Sequence, residues 1–175
     1  NMYVSYSDGM IQLMLDAVKS MLTDSEEYCF HEIFPGLGTP DISAEYKTVS
    51  YRRKGDFPTL GLASLGGSVT GRTRANLFLI SDDLVKNKEE ARSPERLDKL
   101  YNDYLATLTT RMIGDTVKQI QLGTIWSAYD PISRMKAAHE GDPRYKFITI
   151  PVWDENEVSN FEYEHQDRYS VEKIR

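Results

Sequence analysis

The sequence predicts an α/β fold with a mostly parallel sheet flanked by helices. Apolar segments of strand length alternate with longer segments whose apolar residues recur at helical spacing, which is the pattern of βαβ units. Residues 77–80 form an apolar run without polar alternation, as in a strand buried on both faces of a parallel sheet. At 175 residues, the chain is long enough for one core and does not require a second domain.

The first predicted elements are a strand and a helix. Residues 2–6 predict a short strand, and a helix is predicted from Asp8 or Gly9 to Leu22. One face of this helix is expected to pack on the core, because its apolar residues follow helical spacing. Those residues are Met10, Ile11, Met14, Leu15, Val18 and Leu22.

The next segment predicts a loop and an antiparallel addition to the sheet. Residues 23–41 contain two prolines and two glycines and therefore predict a loop. Residues 46–51 and 59–65 predict two strands joined by a turn at residues 54–56, which together form a hairpin. A flexible, basic loop at residues 66–74 then leads into the apolar run.

Two further helices have clear start signals. Ser93 is a good N-cap and Pro94 suits the first helical turn, so a helix is predicted from there to about Met112. Asp130, followed by proline, gives the same signal for a helix that fades near His139. The apolar stripe of the first of these helices predicts a packing face; it consists of Leu97, Leu100, Tyr101, Tyr104, Leu105, Leu108 and Met112.

Two more strands complete the predicted order. Residues 116–122 and 145–152 are apolar segments of strand length, and the connections between strands have the length of parallel crossovers. Residues 1–152 are therefore expected to form one domain. Residues 153–175 are acidic and polar without apolar periodicity, and they predict a linker.

The composition limits the classes of function. A net charge of -6 argues against nonspecific coating of nucleic acid by the whole surface, although a local basic patch is still allowed. Cys29 is the single cysteine and has no partner for an internal disulfide. No apolar stretch approaches the roughly 20 residues that span a bilayer. We therefore expect a soluble, intracellular protein.

The chemistry is concentrated where the apolar run ends. Asp82 and Asp83 follow it almost directly and are expected at the carboxyl end of a strand, the edge at which open α/β sheets bind ligands. Two adjacent carboxylates at such an edge suit a hard cation such as Mg²⁺ or a reacting water. The spacing is that of a Walker B strand in a nucleoside triphosphatase. The structural alternative is that the run is only core and that the acids cap the next turn.

Two other segments are expected at the same edge of the sheet. One is the loop at residues 70–74, which contains Arg72 and Arg74, and the other is the strand end with Gly123 and Thr124. In phosphoanhydride hydrolysis one acid holds Mg²⁺, its neighbour orients the attacking water, and an arginine stabilises the transferring phosphoryl group. A hydroxyl such as that of Thr124 can sense the γ-phosphate and pass its presence to the following helix.

Other interpretations of these residues stay open. Gly123 is a turn residue and Trp126 a core residue in the structural alternative. A metal-dependent nuclease could use Asp82 and Asp83 directly, and Asp130 is then the apparent candidate for the third acid. A protein that only binds partners, without enzymatic activity, is a third possibility.

Taken together, the segments resemble the ATPase domain of the large terminase subunit of tailed bacteriophages. The resemblance covers about residues 2–152 and depends on the order and spacing of several short motifs. In chain order these are Ser5-Tyr6-Ser7, Thr70-Gly71, residues 79–83 with Lys86-Asn87, Thr110-Arg111, and residues 122–126 closing on Asp130.

The resemblance implies a fold and a set of roles. The fold is an incomplete RecA-like core of the ASCE class of P-loop NTPases, and the activity is ATP hydrolysis coupled to the translocation of double-stranded DNA into a procapsid. Asp82 would bind Mg²⁺ and Asp83 would activate water. Gly123, Thr124 and Trp126 would form the coupling motif.

The resemblance also implies partners. Arg72, Arg74 and Arg111 are candidates for an arginine finger or for contacts with DNA. The expected partners are double-stranded DNA, the small terminase subunit and the portal protein, with a homo-oligomeric ring in the motor and no membrane. The expected location is the cytoplasm of the bacterial host.

The sequence departs from the family pattern in three ways. Ile125 stands where arginine is common in the coupling motif, and Asp83 stands where ASCE proteins usually have glutamate. No G-x-x-x-x-G-K-[ST] phosphate loop occurs in the chain. The resemblance therefore implies a central part of a longer polypeptide, with the phosphate loop upstream, and with residues 153–175 leading to a nuclease domain.

Overall fold

The computed structural model describes residues 1–51, 57–65, 67, 73–156, 158 and 160. The chain divides into two compact units, Asn1–Ala137 and Ala138–Arg175. The first unit contains a sheet of six strands: β1 (Met2–Ser5), β2 (Asp41–Ser43), β3 (Thr48–Ser50), β4 (Leu60–Ser64), β5 (Phe78–Asp82) and β6 (Lys118–Leu122). Their order across the sheet is β2-β3-β4-β1-β5-β6.

The sheet is mixed and mostly parallel. β4, β1, β5 and β6 run parallel to one another, whereas β2 pairs antiparallel with β3 and β3 pairs antiparallel with β4. The predicted α/β class with an antiparallel addition is therefore confirmed. The turn predicted at residues 54–56 lies outside the described residues. β4 also belongs to the parallel set, and β2 adds a strand that the sequence did not predict.

Five helices are described: α1 (Asp8–Thr23), α2 (Phe30–Ile33), α3 (Lys88–Ala91), α4 (Pro94–Asp103) and α5 (Pro131–Ala138). α1 begins as predicted, because the Ser7 side chain accepts a hydrogen bond from the Met10 N–H (3.3 Å). α4 continues through a π-helical turn at Tyr104–Leu108 and a 3₁₀ turn at Thr109–Arg111, so the predicted helix is present but irregular. Among the described residues, no helix is long and apolar enough to cross a bilayer.

Helices cover both faces of the sheet. Alternate residues of β1 point to opposite faces, so Tyr3 packs with α1 while Met2 and Val4 pack on the face covered by α4. The core on the α1 face consists of Tyr3, Ile11, Leu15, Leu22, Val49 and Leu62. The core on the other face includes Met2, Val4, Leu79, Tyr104, Leu108 and Met135.

The apolar run at residues 77–80 is less buried than predicted. Leu79 is buried, but Phe78 and Ile80 are half-buried and Leu77 precedes the strand with 53% of its surface exposed. The reason is the position of β5, which has only the edge strand β6 on one side. A strand next to an edge is covered incompletely.

The prediction of a last strand at residues 145–152 is wrong. These residues are all described, none of them lies in a strand, and Ile148 is 73% exposed. β-branched composition favours a strand, but the strand forms only where a neighbouring backbone supplies hydrogen bonds. Locally, the His139 and Tyr145 rings stack with centroids 3.8 Å apart. Arg144 pairs with Asp142, which lowers the pKa of that carboxyl to about 2.

Candidate functional site

The acid pair lies at the carboxyl end of the parallel strands. Asp82 is the last residue of β5, which runs between the parallel strands β1 and β6. The Asp83 N–H donates a hydrogen bond to the Leu122 carbonyl (3.1 Å), so the pairing with β6 continues one residue beyond the strand. This is the edge at which open α/β sheets bind ligands.

Asp82 points to the α1 face of the sheet and is held there by Tyr3. The Tyr3 hydroxyl donates a hydrogen bond to Asp82 Oδ2 (2.6 Å). Burial, followed by this hydrogen bond and the negative charges of Asp82 and Asp83, raises the pKa of the Tyr3 hydroxyl. Tyr3 therefore stays protonated and remains a donor to one oxygen of the carboxylate.

Asp83 occupies a different environment from its neighbour. Its backbone has φ 43°, in the left-handed region that non-glycine residues adopt only at a cost. Together with Ser81, Gly123 and Thr124, Asp83 lines a cavity of about 20 Å³, enough space for one water molecule. The left-handed turn thus separates two adjacent acids, one beside a buried tyrosine and one beside a water-sized cavity.

Gly123 allows β6 to end close to Asp83. A Cβ atom at position 123 would lie 3.1 Å from Ile132 Cδ1 and 3.4 Å from Asp83 Oδ1. The backbone there has φ 158°, at the edge of the region that favours glycine. Gly123 and Thr124 are therefore brought to the acid pair, as the sequence predicted.

Asp130 is a structural acid. Its side chain is 1% exposed and accepts hydrogen bonds from the backbone N–H groups of Trp126 (3.0 Å), Ser127 (3.2 Å) and Ser133 (2.8 Å). It therefore caps α5, as the sequence predicted. Trp126 is 43% exposed, so the interpretation of this residue as core is wrong.

Two of the three predicted arginines, Arg74 and Arg111, lie away from the acid edge. Arg72 lies outside the described residues. Arg74 and Arg111 directly precede Ala75 and Met112, which form an isolated parallel bridge ahead of β5 and β6. Their backbone therefore lies at the amino ends of these strands, opposite to the acids. The expectation that the loop at residues 70–74 shares the acid edge is wrong for Arg74, because the loop enters β5 at its amino end.

Other cations lie near the acids. A cleft of about 310 Å³ is lined by Lys86, Arg96 and Lys99, and the buried Leu84 lines both this cleft and the cavity beside Asp83. Lys99 pairs with Asp103, whereas Lys86 and Arg96 form no ion pair with another described residue. Sequence reasoning missed Arg96, since a charged residue in the first turn of a surface helix carries no local signal of function.

The carboxylates at this edge fit Mg²⁺ only if a bound ligand supplies further oxygen atoms. Among the described residues, no group of three or more histidine, cysteine, aspartate or glutamate side chains could hold a metal ion. Asp82 Oδ1, however, has no donor among the described residues. One carboxylate oxygen, with waters and phosphate oxygens, is a common coordination of Mg²⁺ in nucleotide sites.

The fold and the site define an α/β protein in which two adjacent acids, Asp82 and Asp83, lie in different surroundings at the carboxyl edge of the parallel strands. Comparison of the chain with protein-family models and with curated proteins gave no match.

Proposed function

We propose that this chain is the Walker B and coupling part of an ATP-driven motor that packages double-stranded DNA, of the kind found in large terminase subunits of tailed bacteriophages. The observation that carries the proposal is the arrangement around one water-sized cavity. Asp83 and Thr124 line this cavity from the ends of adjacent parallel strands. Asp82 directly precedes Asp83 in the chain. One acid to hold Mg²⁺ and one to orient the attacking water are among the groups that phosphoanhydride hydrolysis uses.

Each residue has a separate role in the proposed reaction. Asp82 would hold Mg²⁺ through Oδ1, which accepts no hydrogen bond from another described residue, and the bound ion would neutralise phosphate charge. Asp83, which is exposed beside the cavity, accepts a proton from the water that attacks the γ-phosphorus. Thr124 contacts the γ-phosphate and transmits its loss to α5.

The proposal requires parts that the chain does not contain. A phosphate-binding loop, with its lysine and backbone N–H groups, must come from a segment outside these 175 residues and complete a RecA-like core. Lys86 and Arg96 line a cleft together with Tyr6 and Ser7, which follow the end of β1, and are proposed to contact phosphate groups. Arg74 and Arg111, at the opposite edge, are proposed to contact DNA or a neighbouring subunit of the ring.

The wider setting follows from the same proposal. The motor would assemble as a homo-oligomeric ring with the small terminase subunit and the portal protein, in the cytoplasm of a bacterial host. The nuclease alternative is less well supported. It needs a third acid that is free to bind a metal, and the Asp130 carboxylate already accepts three backbone hydrogen bonds.

The test is ATP hydrolysis by a polypeptide that contains this chain together with its phosphate loop. Asp82→Ala should abolish Mg²⁺-dependent hydrolysis, and Asp83→Asn should remove turnover while nucleotide binding stays nearly intact. Glu45→Gln is the control, because Glu45 is exposed and distant from Asp82 in the sequence. It should leave both hydrolysis and nucleotide binding unchanged. An equal loss of nucleotide binding in both aspartate variants would contradict the division of roles.

A further inference from the structure

Two glutamines on one face of β6 have different surroundings. Gln119 and Gln121 are two positions apart in this strand, so their side chains lie on the same face of the sheet. Both polar atoms of the Gln119 amide have partners: Oε1 accepts a hydrogen bond from the Tyr104 hydroxyl (2.5 Å), and Nε2 donates one to the Met112 sulfur (3.2 Å). In Gln121 the Nε2 atom is buried, and no described group forms a hydrogen bond with it.

The buried amide of Gln121 belongs to a residue that lines the water-sized cavity beside Asp83. Most buried polar side-chain atoms have a partner, either in the protein or in an ordered water. A cavity of about 20 Å³ can hold one water molecule if several polar groups surround it. Besides Gln121 and Asp83, the hydroxyl-bearing residues Ser81 and Thr124 line this cavity. These observations point to one water held between Gln121 and Asp83.

The cavity has a buried side and an exposed side. Ser81 and Asp130 are buried, whereas Asp83 and Thr124 are exposed. The Asp130 carboxylate already accepts three backbone hydrogen bonds, and Gln121 Nε2 is a buried donor that has none to make with a described residue. A water that the Gln121 amide holds can therefore still be reached by a phosphate group from the exposed side of the cavity.

We propose that Gln121 is a further catalytic residue of the ATP hydrolysis, and that its side-chain amide hydrogen-bonds the attacking water. This inference rests on the proposed function, which assigns the base to Asp83. The water oxygen forms a bond to the γ-phosphorus while the bond from this phosphorus to the leaving ADP oxygen breaks, and one water proton passes to Asp83. A water with a single hydrogen bond can rotate, and a second bond to Gln121 fixes its orientation toward the phosphorus.

The first measurement detects the water in the 175-residue chain itself. Rotating-frame NMR measures cross-relaxation between the water signal and the side-chain amide protons of Gln121, and the sign of the cross-peak separates contact from hydrogen exchange. We expect a contact at Gln121 and none at Gln119. Gln119 is the internal control because it is exposed and its amide lies beside the Tyr104 hydroxyl, so it reports surface waters and signals relayed by a hydroxyl proton.

The second measurement is ATP hydrolysis by the polypeptide that also contains the phosphate loop. Gln121→Met keeps the length of the side chain and removes its hydrogen-bonding groups. We expect kcat to fall about 10- to 100-fold and ATP affinity to change less than about twofold, because a misplaced water slows the chemical step and not binding. Gln119→Met is the matched control and should leave kcat within about twofold of the wild type, although it loses the hydrogen bond to Tyr104.

The outcomes separate this inference from the proposed function. The inference is overturned if Gln121 shows no water contact, if kcat of Gln121→Met matches that of Gln119→Met, or if ATP affinity falls as much as kcat. In each of these cases, loss of turnover in Asp83→Asn leaves the proposed function standing. If Asp83→Asn keeps its turnover, the proposed function fails and this inference fails with it. Gln121→Leu replaces Gln121→Met if the latter does not fold.

Discussion

Asp83 Oδ1 lies beside the backbone of Gly123, so that a Cβ atom at position 123 would be in van der Waals contact with it at 3.4 Å. This added Cβ atom would also be 3.1 Å from Cδ1 of Ile132, in the first turn of α5. The end of β6 therefore contacts both the acid that ends β5 and the helix that follows.

We expect Gly123→Ala to lower the free energy of unfolding by about 1–3 kcal/mol, because L side chains rarely adopt φ 158° and the new Cβ atom would come within 3.1 Å of Ile132 Cδ1. Urea denaturation measures the change. Gly36→Ala is the matched control, since nothing lies within 4 Å of a Cβ atom at that position, and it should change the stability by less than about 0.5 kcal/mol. Equal effects of the two variants would contradict the close approach at Gly123.

The left-handed backbone of Asp83 predicts an order of stability among its variants. Asparagine tolerates positive φ and alanine does not, so Asp83→Ala should be less stable than Asp83→Asn by about 1 kcal/mol. Asp16, in the middle of α1, is the control position, because alanine there should be more stable than asparagine owing to its higher helix propensity. The four variants are compared by thermal unfolding, and the same order at both positions would be evidence against the left-handed turn.

Asp130 is expected to act on stability and not on metal binding. Asp130→Ala leaves three backbone N–H groups without their acceptor and should cost about 2–3 kcal/mol. Asp24→Ala, which removes an exposed acceptor of two backbone N–H groups, should cost less than about 1 kcal/mol because water replaces the carboxylate. Urea denaturation measures both changes, and an equal loss of stability in the two variants would contradict the buried cap at Asp130.

Periodicity predicted the elements that depend on local pattern. The stripes of α1 and α4 include Ile11, Leu15 and Leu97, which are all buried, and the predicted cap at Ser93 is present. These features depend on residues three or four positions apart, which a sequence displays directly. The position of the two acids at the end of a strand is also predictable, because they follow an apolar run closely in the sequence.

Features that depend on strand order were not predictable in this way. Tyr3 and Asp82 are separated by 79 positions, and they meet because β1 lies between β4 and β5. Likewise, Arg74 is close to the acids in the sequence, but it precedes β5 whereas Asp82 ends this strand. Arg74 and the acids therefore lie at opposite edges of the sheet. Pairing partners are decided by tertiary packing, and that information is spread over the whole chain.

The raised pKa of Tyr3 predicts a loss of stability at alkaline pH. The unfolded chain releases the tyrosine proton near pH 10, whereas the folded protein retains it, so the contribution of this hydroxyl is complete below about pH 10 and declines as the pH rises above it. Tyr3→Phe should therefore be less stable than the wild type by about 1–2 kcal/mol at pH 8 and by less at pH 11. Urea unfolding at the two pH values measures the difference. A difference that grows with pH would contradict the hydrogen bond to Asp82.

Thr124 is predicted to couple hydrolysis to movement. It follows Gly123 at the end of β6, lines the cavity with Asp83, and leads through the Asp130 cap into α5, so a change at its hydroxyl can reach that helix. In a polypeptide that also carries the phosphate loop, Thr124→Val keeps the shape of the side chain and removes the hydroxyl. DNA translocated per ATP hydrolysed should fall several-fold, while ATP affinity changes little. Thr116→Val, at an exposed position before β6, is the control and should leave this ratio unchanged. If Thr124→Val also leaves the ratio unchanged, Thr124 only ends the strand, and the coupling role is lost.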